Sequence, residues 1–402
     1  MKIQRHSPRQ HPQRRGWIAP IVALALVVVL GAVALVLDRL WLDMAAGEAE
    51  AVAETSAIAA ARELASDDAL RMPEPGPDGR IAAAKLAAEN VAALNHVAGQ
   101  AHTLDSSAGD IRFGVKLKVE DTGEIKFVET IHEPRSARVV AQRTHARGNP
   151  VALFLRGLTK VEAGEVRGEA EASIDNHVVG LQSVAGARVP LLPLAILARD
   201  PNGKRQDTWQ IQIDNRLGAD KYRYDPSTRQ VHPGSDGIPE IILTPASAGA
   251  DSATANMAFF DVHGRVGRFP LDEQIRLGLS PLDLERRDGR FVLTKGPERF
   301  PAVRSVTKKS AAALQAIIGE CRAAVLYQNF TQPDRNAPGH IESAGLVAGR
   351  VMAVELSGGM NWWLVFQPGV LATHSAVLPA DLGLVGVTAP ANKYVYQLKL
   401  TQ

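Results

Sequence analysis

The strongest pattern in the chain is an uninterrupted apolar run near its N-terminus. Residues 18–37 read IAPIVALALVVVLGAVALVL and include no charged side chain. About 20 such residues in a helix cross the ~30 Å hydrocarbon layer of a bilayer, where a helix satisfies its own backbone hydrogen bonds. The run therefore predicts one transmembrane helix, with Pro20 in the first turn, where a missing N–H is tolerated.

The charges on either side of this run predict its orientation. Basic residues precede it and acidic residues follow it: Lys2, Arg5, Arg9, Arg14 and Arg15 before, and Asp38, Asp43, Glu48, Glu50 and Glu54 after. Because basic flanks stay in the cytoplasm, we expect a cytoplasmic N-terminus, a single pass through the inner membrane and a periplasmic or extracellular body. The alternative is a secretory signal cut after Ala32-Val33-Ala34, which would leave a secreted structural protein that starts at Leu35.

Helical patterns continue behind the apolar run. Residues 38–70 are rich in Ala, Glu, Leu and Arg and predict a stalk helix; a turn-rich stretch at 72–80 and a second Ala-rich helix at 81–98 follow. This gives a helical hairpin or a bent stalk. Small residues recur at helical spacing in the stalk: Ala45, Ala49, Val52, Ala53, Ala57, Ala60 and Leu64. Such a row packs either on a partner helix or on the chain's own body.

From residue 109 the period of the pattern becomes that of strands. Apolar residues alternate with polar or small ones over 111–119, and residues 125–128 follow after a turn, which predicts a β-hairpin. Further strands are predicted at 137–143, 164–174, 209–213, 238–243, 349–356, 362–367 and 394–400, and a helix at 311–328. The Pro-interrupted apolar run at 189–196 predicts an edge strand or a buried connection.

These elements predict an α+β fold: a single N-terminal transmembrane helix and a helical stalk, followed by mostly antiparallel β domains outside the membrane. At 402 residues the chain is too long for one ordinary core. The predicted segments are a basic cytoplasmic N-terminus at 1–17, the span at 18–37, a stalk or hairpin at 38–108, a β-rich domain at 109–200, an irregular β-rich region at 201–301, and a helix with a β unit at 302–402.

Composition narrows the function classes. Lys and Arg total 45 against 43 Asp and Glu, and this near-balance argues against a nucleic-acid-binding protein, which needs a basic domain. The single cysteine, Cys321, has no partner for an intramolecular disulfide or a Cys-based zinc site. We expect it to be a small buried residue in the predicted helix that begins at Ala311.

Motifs for common chemistry are absent from the sequence: no phosphate-binding GxxxxGK[ST] loop, no HExxH and no GxSxG occurs. His96 and His102 lie near one predicted helix, but six residues apart they fall on different faces. Asp283 and Glu285 would share one face of a strand, yet the charged residues that follow them indicate a solvated surface. We therefore predict a non-enzyme with no catalytic, cofactor-binding or metal-binding residues.

Two other short motifs are weak indicators. Trp362 and Trp363 are neighbours in a predicted strand, so their rings point to opposite faces, and we expect one in the core and the other exposed or at an interface. The triplet Asn329-Phe330-Thr331 matches a glycosylation site, and we assign it no role because short sequences contain it by chance.

The stretch RRGWIAPIVALALVVVLGAVALVLDRLWLD, followed by AETSAIAAAREL, resembles the N-terminal module of TadG-like proteins of the Flp, or tight-adherence, pilus assembly system. DIRFGVKL with GEIKFVE, then ARVVAQRTHARGNPVALFLRGLTKVEAGEVRGEAEASI and VVGLQSVAGARVPLLPLAI, resemble the β segment of larger members. The resemblance covers residues 14–196. It implies a pseudopilin-like or accessory envelope component that supports assembly of a thin adhesive pilus.

Two departures limit what the resemblance implies. Prepilins of this system have Glu at the fifth place after a cleaved Gly, whereas Ile21 stands at that place counted from Gly16, which argues against cleavage and filament incorporation. Larger relatives also carry a metal-binding Asp-x-Ser-x-Ser run, and DSSAG at residues 105–109 lacks the final Ser, so we predict no such site.

The expected partners are the lipid bilayer and pilus-assembly or secretion subunits, which the transmembrane and stalk helices would contact; self-association stays open, and nucleic acid is not expected. The alternative function is a membrane-tethered periplasmic hydrolase or carbohydrate-binding protein with its site after residue 200.

Overall fold

A computed structural model describes residues 18–72, 77–118, 124–245, 255–262, 271–294, 296–303, 308–331, 339–357, 361–384 and 389–401. Its α-helices are α1 Ile18–Leu64, α2 Pro77–Ala93, α3 Arg156–Thr159, α4 Leu271–Leu277 and α5 Lys308–Gln315. Its strands are β1 His96–Val97, β2 Gln100–Ala101, β3 Ile111–Lys118, β4 Ile125–Glu129, β5 Ser136–Arg143, β6 Val151–Ala152, β7 Ala163–Gly164, β8 Val166–Asp175, β9 Gly180–Gln182, β10 Leu191–Leu197, β11 Tyr222–Asp225, β12 Gln230–Pro233, β13 Ile241–Leu243, β14 Met257–Phe260, β15 Arg290–Val292, β16 Arg299–Val303, β17 Cys321–Thr331, β18 His340–Ser357, β19 Asn361–Pro368, β20 Leu371–Thr373, β21 Ala376–Val377 and β22 Val395–Leu400.

The predicted α+β class is confirmed: one long apolar N-terminal helix precedes a mostly β body with antiparallel sheets. Helix α1 has 47 residues and is about 70 Å long at 1.5 Å per residue. It runs without a break from the predicted span into the predicted stalk. The stalk helix ends at Leu64, six residues earlier than expected, and a 3₁₀ turn at Asp67–Leu70 follows. Helix α2 ends at Ala93 instead of reaching residue 98.

The C-terminal half of α1 packs with α2 on a six-stranded sheet of strand order β20-β22-β8-β5-β3-β4. The predicted hairpin is confirmed as the antiparallel pair β3–β4, and its turn at 119–123 lies outside the described residues. The strands predicted at 137–143 and 164–174 are confirmed as β5 and β8, which pair antiparallel. The buried positions of β8 begin with Val166 and Gly168, which alternate with exposed Arg167 and Glu169, as the pattern predicted.

The small residues of the stalk lie against this sheet and against α2. Each of the seven is buried: Ala45, Ala49, Val52, Ala53, Ala57, Ala60 and Leu64. The contact is close, because a Cβ built on Gly168 of β8 would lie 2.3 Å from the Glu50 nitrogen and 2.5 Å from the Ala49 oxygen. Of the two uses that the sequence left open, packing on the chain's own body is the one that the structure contains.

The second layer of the body is a seven-stranded sheet in which five strands close a ring. The order is β18, β16, β14, β10 and β17, and β17 pairs again with β18. Strand β18 closes the ring because its first residues, 340–342, pair with both β16 and β17. From Gly349 onward β18 pairs with β19, which lies outside the ring. Aromatic side chains fill the core of this layer, among them Trp209, Phe259, Phe260, Phe291, Phe300 and Phe366.

The apolar run at 189–196 is neither an edge strand nor a connection. It forms β10, which is buried along its whole length and lies between β14 and β17. The register of β10 with β17 shifts between Leu191 and Ala195, and Pro193 lies within this irregular stretch. A proline is tolerated at such a place because its missing N–H is not needed for regular pairing.

Two further segments have a secondary structure different from the predicted one. Residues 209–213 do not form a strand; Gln210–Asp214 is a π-helical turn with Trp209 and Ile213 on its buried side. The helix predicted at 311–328 ends at Gln315, and β17 begins at Cys321. Gly319, with φ of 86°, lies between the two, and the apolar residues after it are buried on both faces of a strand. A continuous apolar run does not distinguish these two structures.

The C-terminal strands were predicted well. The strands expected at 349–356, 362–367 and 394–400 are confirmed in β18, β19 and β22, and the loop expected between β18 and β19 includes residues 358–360, outside the described part of the chain. The strand expected at 238–243 is shorter, since β13 starts at Ile241. Strand β22 pairs with β8 in the six-stranded sheet, while its first residue, Val395, packs in the core of the ring, so the C-terminal strand connects the two sheets.

Candidate functional site

The N-terminal part of α1 is an apolar surface that the body largely leaves open. Side chains at residues 19–30 are exposed on every face, with Leu24 at 67% and Val28 at 64%, and one side is covered only from Gly31 onward. Within the described residues α1 is the single helix that is long and apolar enough to cross a membrane, with a mean hydropathy of 3.0 over its most apolar window. Such a helix is compatible with a membrane anchor or with a signal sequence.

The body meets α1 where this exposed surface ends. Asp38 is 5% exposed, and its Oδ1 accepts hydrogen bonds from the backbone N–H groups of Phe154 (3.0 Å) and Leu155 (3.4 Å). Trp41 donates its indole N–H to the Ala152 carbonyl at 3.2 Å, and its ring centroid lies 4.8 Å from that of Phe154. We call residues 153–161, between β6 and β7, the Phe154 loop; nothing in the loop's own sequence predicts that it returns to the helix.

The other end of α1 connects to the ring through a part-buried ion pair for which the sequence contains no local signal. Asp67, just beyond the helix, pairs with Arg350 of β18, and its Oδ1 also accepts the Val370 N–H at 2.6 Å. The Arg350 guanidinium lies 4.3 Å from the centroid of the Tyr224 ring. Cys321 is next to the pair; it is half-buried at the start of β17, not buried in a helix as expected. Desolvation raises the pKa of its thiol to about 12, so the thiol stays protonated at neutral pH.

The two carboxyl groups considered for catalysis have separate environments. Asp283 is buried and accepts hydrogen bonds from Gln274 Nε2 (2.8 Å), the Ser280 N–H (2.6 Å) and the Ser280 hydroxyl (2.7 Å). Glu285 is exposed in a short 3₁₀ helix, so the strand on which the two would share a face is not present. The contacts of Asp283 hold the turn after α4 in place, which is a structural role.

The histidines and tryptophans singled out in the sequence also lie apart and do not form one site. His96 lies in β1 and His102 beyond β2, so neither is in a helix; His102 is buried, and burial lowers the pKa of its imidazole. Trp362 is in the ring core, 6.4 Å from the Phe259 centroid, whereas Trp363 is half-buried. The expectation that one of the two tryptophans lies in the core is confirmed by Trp362, whereas Trp363 is half-buried and not exposed.

The DSSAG run at residues 105–109 forms a 3₁₀ turn that the side chain of Asp105 holds in place. Asp105 Oδ1 accepts hydrogen bonds from the N–H groups of Ser107 (2.9 Å) and Ala108 (3.1 Å), and Asp105 Oδ2 pairs with Arg147 at 3.2 Å. Asn329, of the glycosylation triplet, donates its amide to Glu342 at 2.7 Å across β17 and β18. Among the residues that the structure describes, no three His, Cys, Asp or Glu side chains are grouped so that they hold a metal ion.

Mixed charges line an open cleft of about 320 Å³ beside β16. There Arg287 pairs with Glu298 at 2.7 Å and lies 4.8 Å from the centroid of Phe300. Elsewhere Glu240 is buried, and burial raises the pKa of its carboxyl to about 7. Its Oε1 accepts the N–H of Tyr222 at 2.6 Å, a contact that fixes the start of β11. Arg287, Glu298 and Glu240 thus make contacts within the fold that stabilise it.

No family model, curated protein or solved structure matches the chain. The feature that supports a function is helix α1: its N-terminal part exposes apolar side chains, and its C-terminal half is packed on the body.

Proposed function

We propose that the protein is a membrane-anchored, non-catalytic accessory protein of Flp, or tight-adherence, pilus assembly. Residues 18–37 of α1 span the inner membrane, the N-terminus lies in the cytoplasm, and the two-layered body is a scaffold on the outer side. The observation that carries the anchor is the exposure of apolar side chains on every face of α1 over residues 19–30. A helix that is apolar on every side is stable in lipid and not in water. The assignment to pilus assembly rests on the resemblance of residues 14–196 to TadG-like proteins.

The rigid connection between α1 and the body supports a scaffold. Because α1 is one continuous helix whose second half is buried on the six-stranded sheet, a lateral contact made by the span in the membrane fixes the position of the body outside it. Contacts between helices in lipid are individually weak. Anchoring in the same membrane raises the effective concentration of the partners, which makes such weak contacts sufficient for assembly.

Replacing the span distinguishes anchoring from specific docking. In a bacterium that assembles such pili, the chain lacking residues 18–37 is expected in the soluble fraction, with loss of surface pili and adherence. A matched variant carries the same residues of the span in scrambled order, which keeps its length and hydropathy. It is expected to stay in the membrane and still to lose pilus assembly. Normal adherence of the deletion strain would contradict the proposal, and normal adherence of the scrambled strain would contradict docking through the span.

A further inference from the structure

The Phe154 loop follows α1 toward its N-terminus in a fixed order of contacts. At the base of the loop, a Cβ built on Gly164 of β7 would lie 2.7 Å from the Leu42 side chain. Next, Trp41 donates to Ala152 of β6, and one turn further along α1 Asp38 accepts the N–H groups of the loop itself. The loop thus advances along the helix in the direction of residues 18–37.

The buried side of α1 continues beyond Asp38 into the apolar run. Ala34 is fully buried and Gly31 is half-buried, at the same helical spacing as Asp38, while their neighbours on the other faces are exposed. Helix α3, at the tip of the loop, contacts α1. At 1.5 Å per residue, Ala34 and Gly31 lie about 5–9 Å inside a span that ends at Leu37. On this side, α1 is therefore covered by protein to a depth of about 5–9 Å within the hydrocarbon layer that residues 18–37 would span.

The chemistry of the loop matches the boundary between lipid headgroups and acyl chains. Phe154 is 65% exposed and Val161 is 52% exposed, and the exposed side chains between them include Arg156 and Lys160. Residues 153–161 contain no acidic side chain. Apolar side chains that enter such a boundary by 5–10 Å, together with basic groups at the level of the phosphates, are typical of interfacial membrane contacts.

We propose that the Phe154 loop is a second membrane contact of the protein, which inserts Phe154 and Val161 into the outer leaflet beside the span. Arg156 and Lys160 lie at the level of the anionic headgroups. The loop also covers the Asp38 carboxylate and gives it two N–H donors, so that no carboxylate faces hydrocarbon where the span ends. The occupant of this surface is lipid, and the inference rests on the proposed anchoring of α1.

The test places an environment-sensitive fluorophore on the full chain in vesicles of phosphatidylethanolamine and phosphatidylglycerol. In the background C321A, the label is attached at Phe154→Cys or, as a second variant, at Val161→Cys. Two sites serve as controls: Leu26→Cys inside the span, and Leu217→Cys in the body. Leu217 matches Phe154 in exposure, at 66%, and its neighbour Arg216 bonds Leu70, beyond the far end of α1.

A nitroxide on lipid acyl chains near the glycerol is expected to quench the labels at Phe154 and Val161, and one near the end of the acyl chains is expected to quench the Leu26 label, which lies about 16 Å inside the span. Neither is expected to change the Leu217 label. Aqueous iodide is expected to quench only the Leu217 label strongly. If the loop labels are quenched by iodide and not by lipid while Leu26 is quenched by lipid, the loop lies in water, the loop proposal is overturned, and the anchor stands. If lipid nitroxides also do not quench the label at position 26, the proposal that α1 spans the membrane is contradicted.

Discussion

Replacing Arg350 with alanine is expected to lower the free energy of unfolding by about 2–3 kcal/mol, between the losses typical of exposed and of fully buried pairs, because the change leaves a part-buried carboxylate without its partner. Arg350 and Asp67 are separated by 283 residues, and their side chains are 12% and 18% exposed. The same guanidinium lies over Tyr224. Equilibrium unfolding of the full chain by urea in mild detergent measures the loss.

A surface pair of the same chemistry is the control for this prediction. Arg167 pairs with Glu169 at 2.7 Å, but the two side chains are exposed to solvent. Arg167→Ala is expected to change stability by no more than about 1 kcal/mol. The double variant Asp67→Asn with Arg350→Met is expected to lose less than the sum of its single changes, because neither charge is then left alone. Equal losses for Arg350→Ala and Arg167→Ala would contradict a part-buried, coupled pair.

Replacing Gly168 with valine is expected to separate α1 from its sheet. The new Cβ would lie 2.4 Å from the Ala49 carbonyl carbon, and the obstacle is helix backbone, which cannot move aside as a side chain can. Overpacking in a core typically costs about 1–3 kcal/mol and occasionally more; with backbone as the obstacle, we expect at least the upper end. Faster proteolysis within residues 42–64 of α1 would report the separation.

The control for Gly168 is a glycine in α1 with free space around it. A Cβ built on Gly47 meets no atom within 4 Å. Gly47→Ala is therefore expected to stabilise the chain by about 0.5–1 kcal/mol through the higher helix propensity of alanine. A Gly168→Ala variant with a stability equal to that of the natural chain would show that α1 does not pack so closely on β8.

Elements with a clear period were predictable from the sequence. The alternation of apolar and polar residues in β8 and the hydropathy of α1 depend on local spacing, and the structure reproduces both. The stripe of small residues in α1 was predictable as a packing surface. Its occupant was not, because spacing describes the surface and not what meets it.

Features that depend on distant parts of the chain were not predictable. The ring closes because residues 340–342 of β18 pair with both β16 and β17, and no local pattern marks that double pairing. The wrong extension of α5 into β17 has the same origin, since Ala323, Ala324 and Val325 are buried by neighbouring strands. One signal for the Phe154 loop was available: Asp38, directly behind an apolar span, required donors from elsewhere in the chain.

The location of the two ends of α1 is the central claim, and site-directed thiol labelling tests it most directly. In the background C321A, Ser7→Cys marks the N-terminus and Lys204→Cys marks an exposed position in the body. In intact spheroplasts of a Gram-negative bacterium, a membrane-impermeant maleimide is expected to label the cysteine at position 204 and to label the cysteine at position 7 only after lysis. Labelling of position 7 alone, or recovery of the unlabelled intact chain in buffer without detergent, would contradict the account.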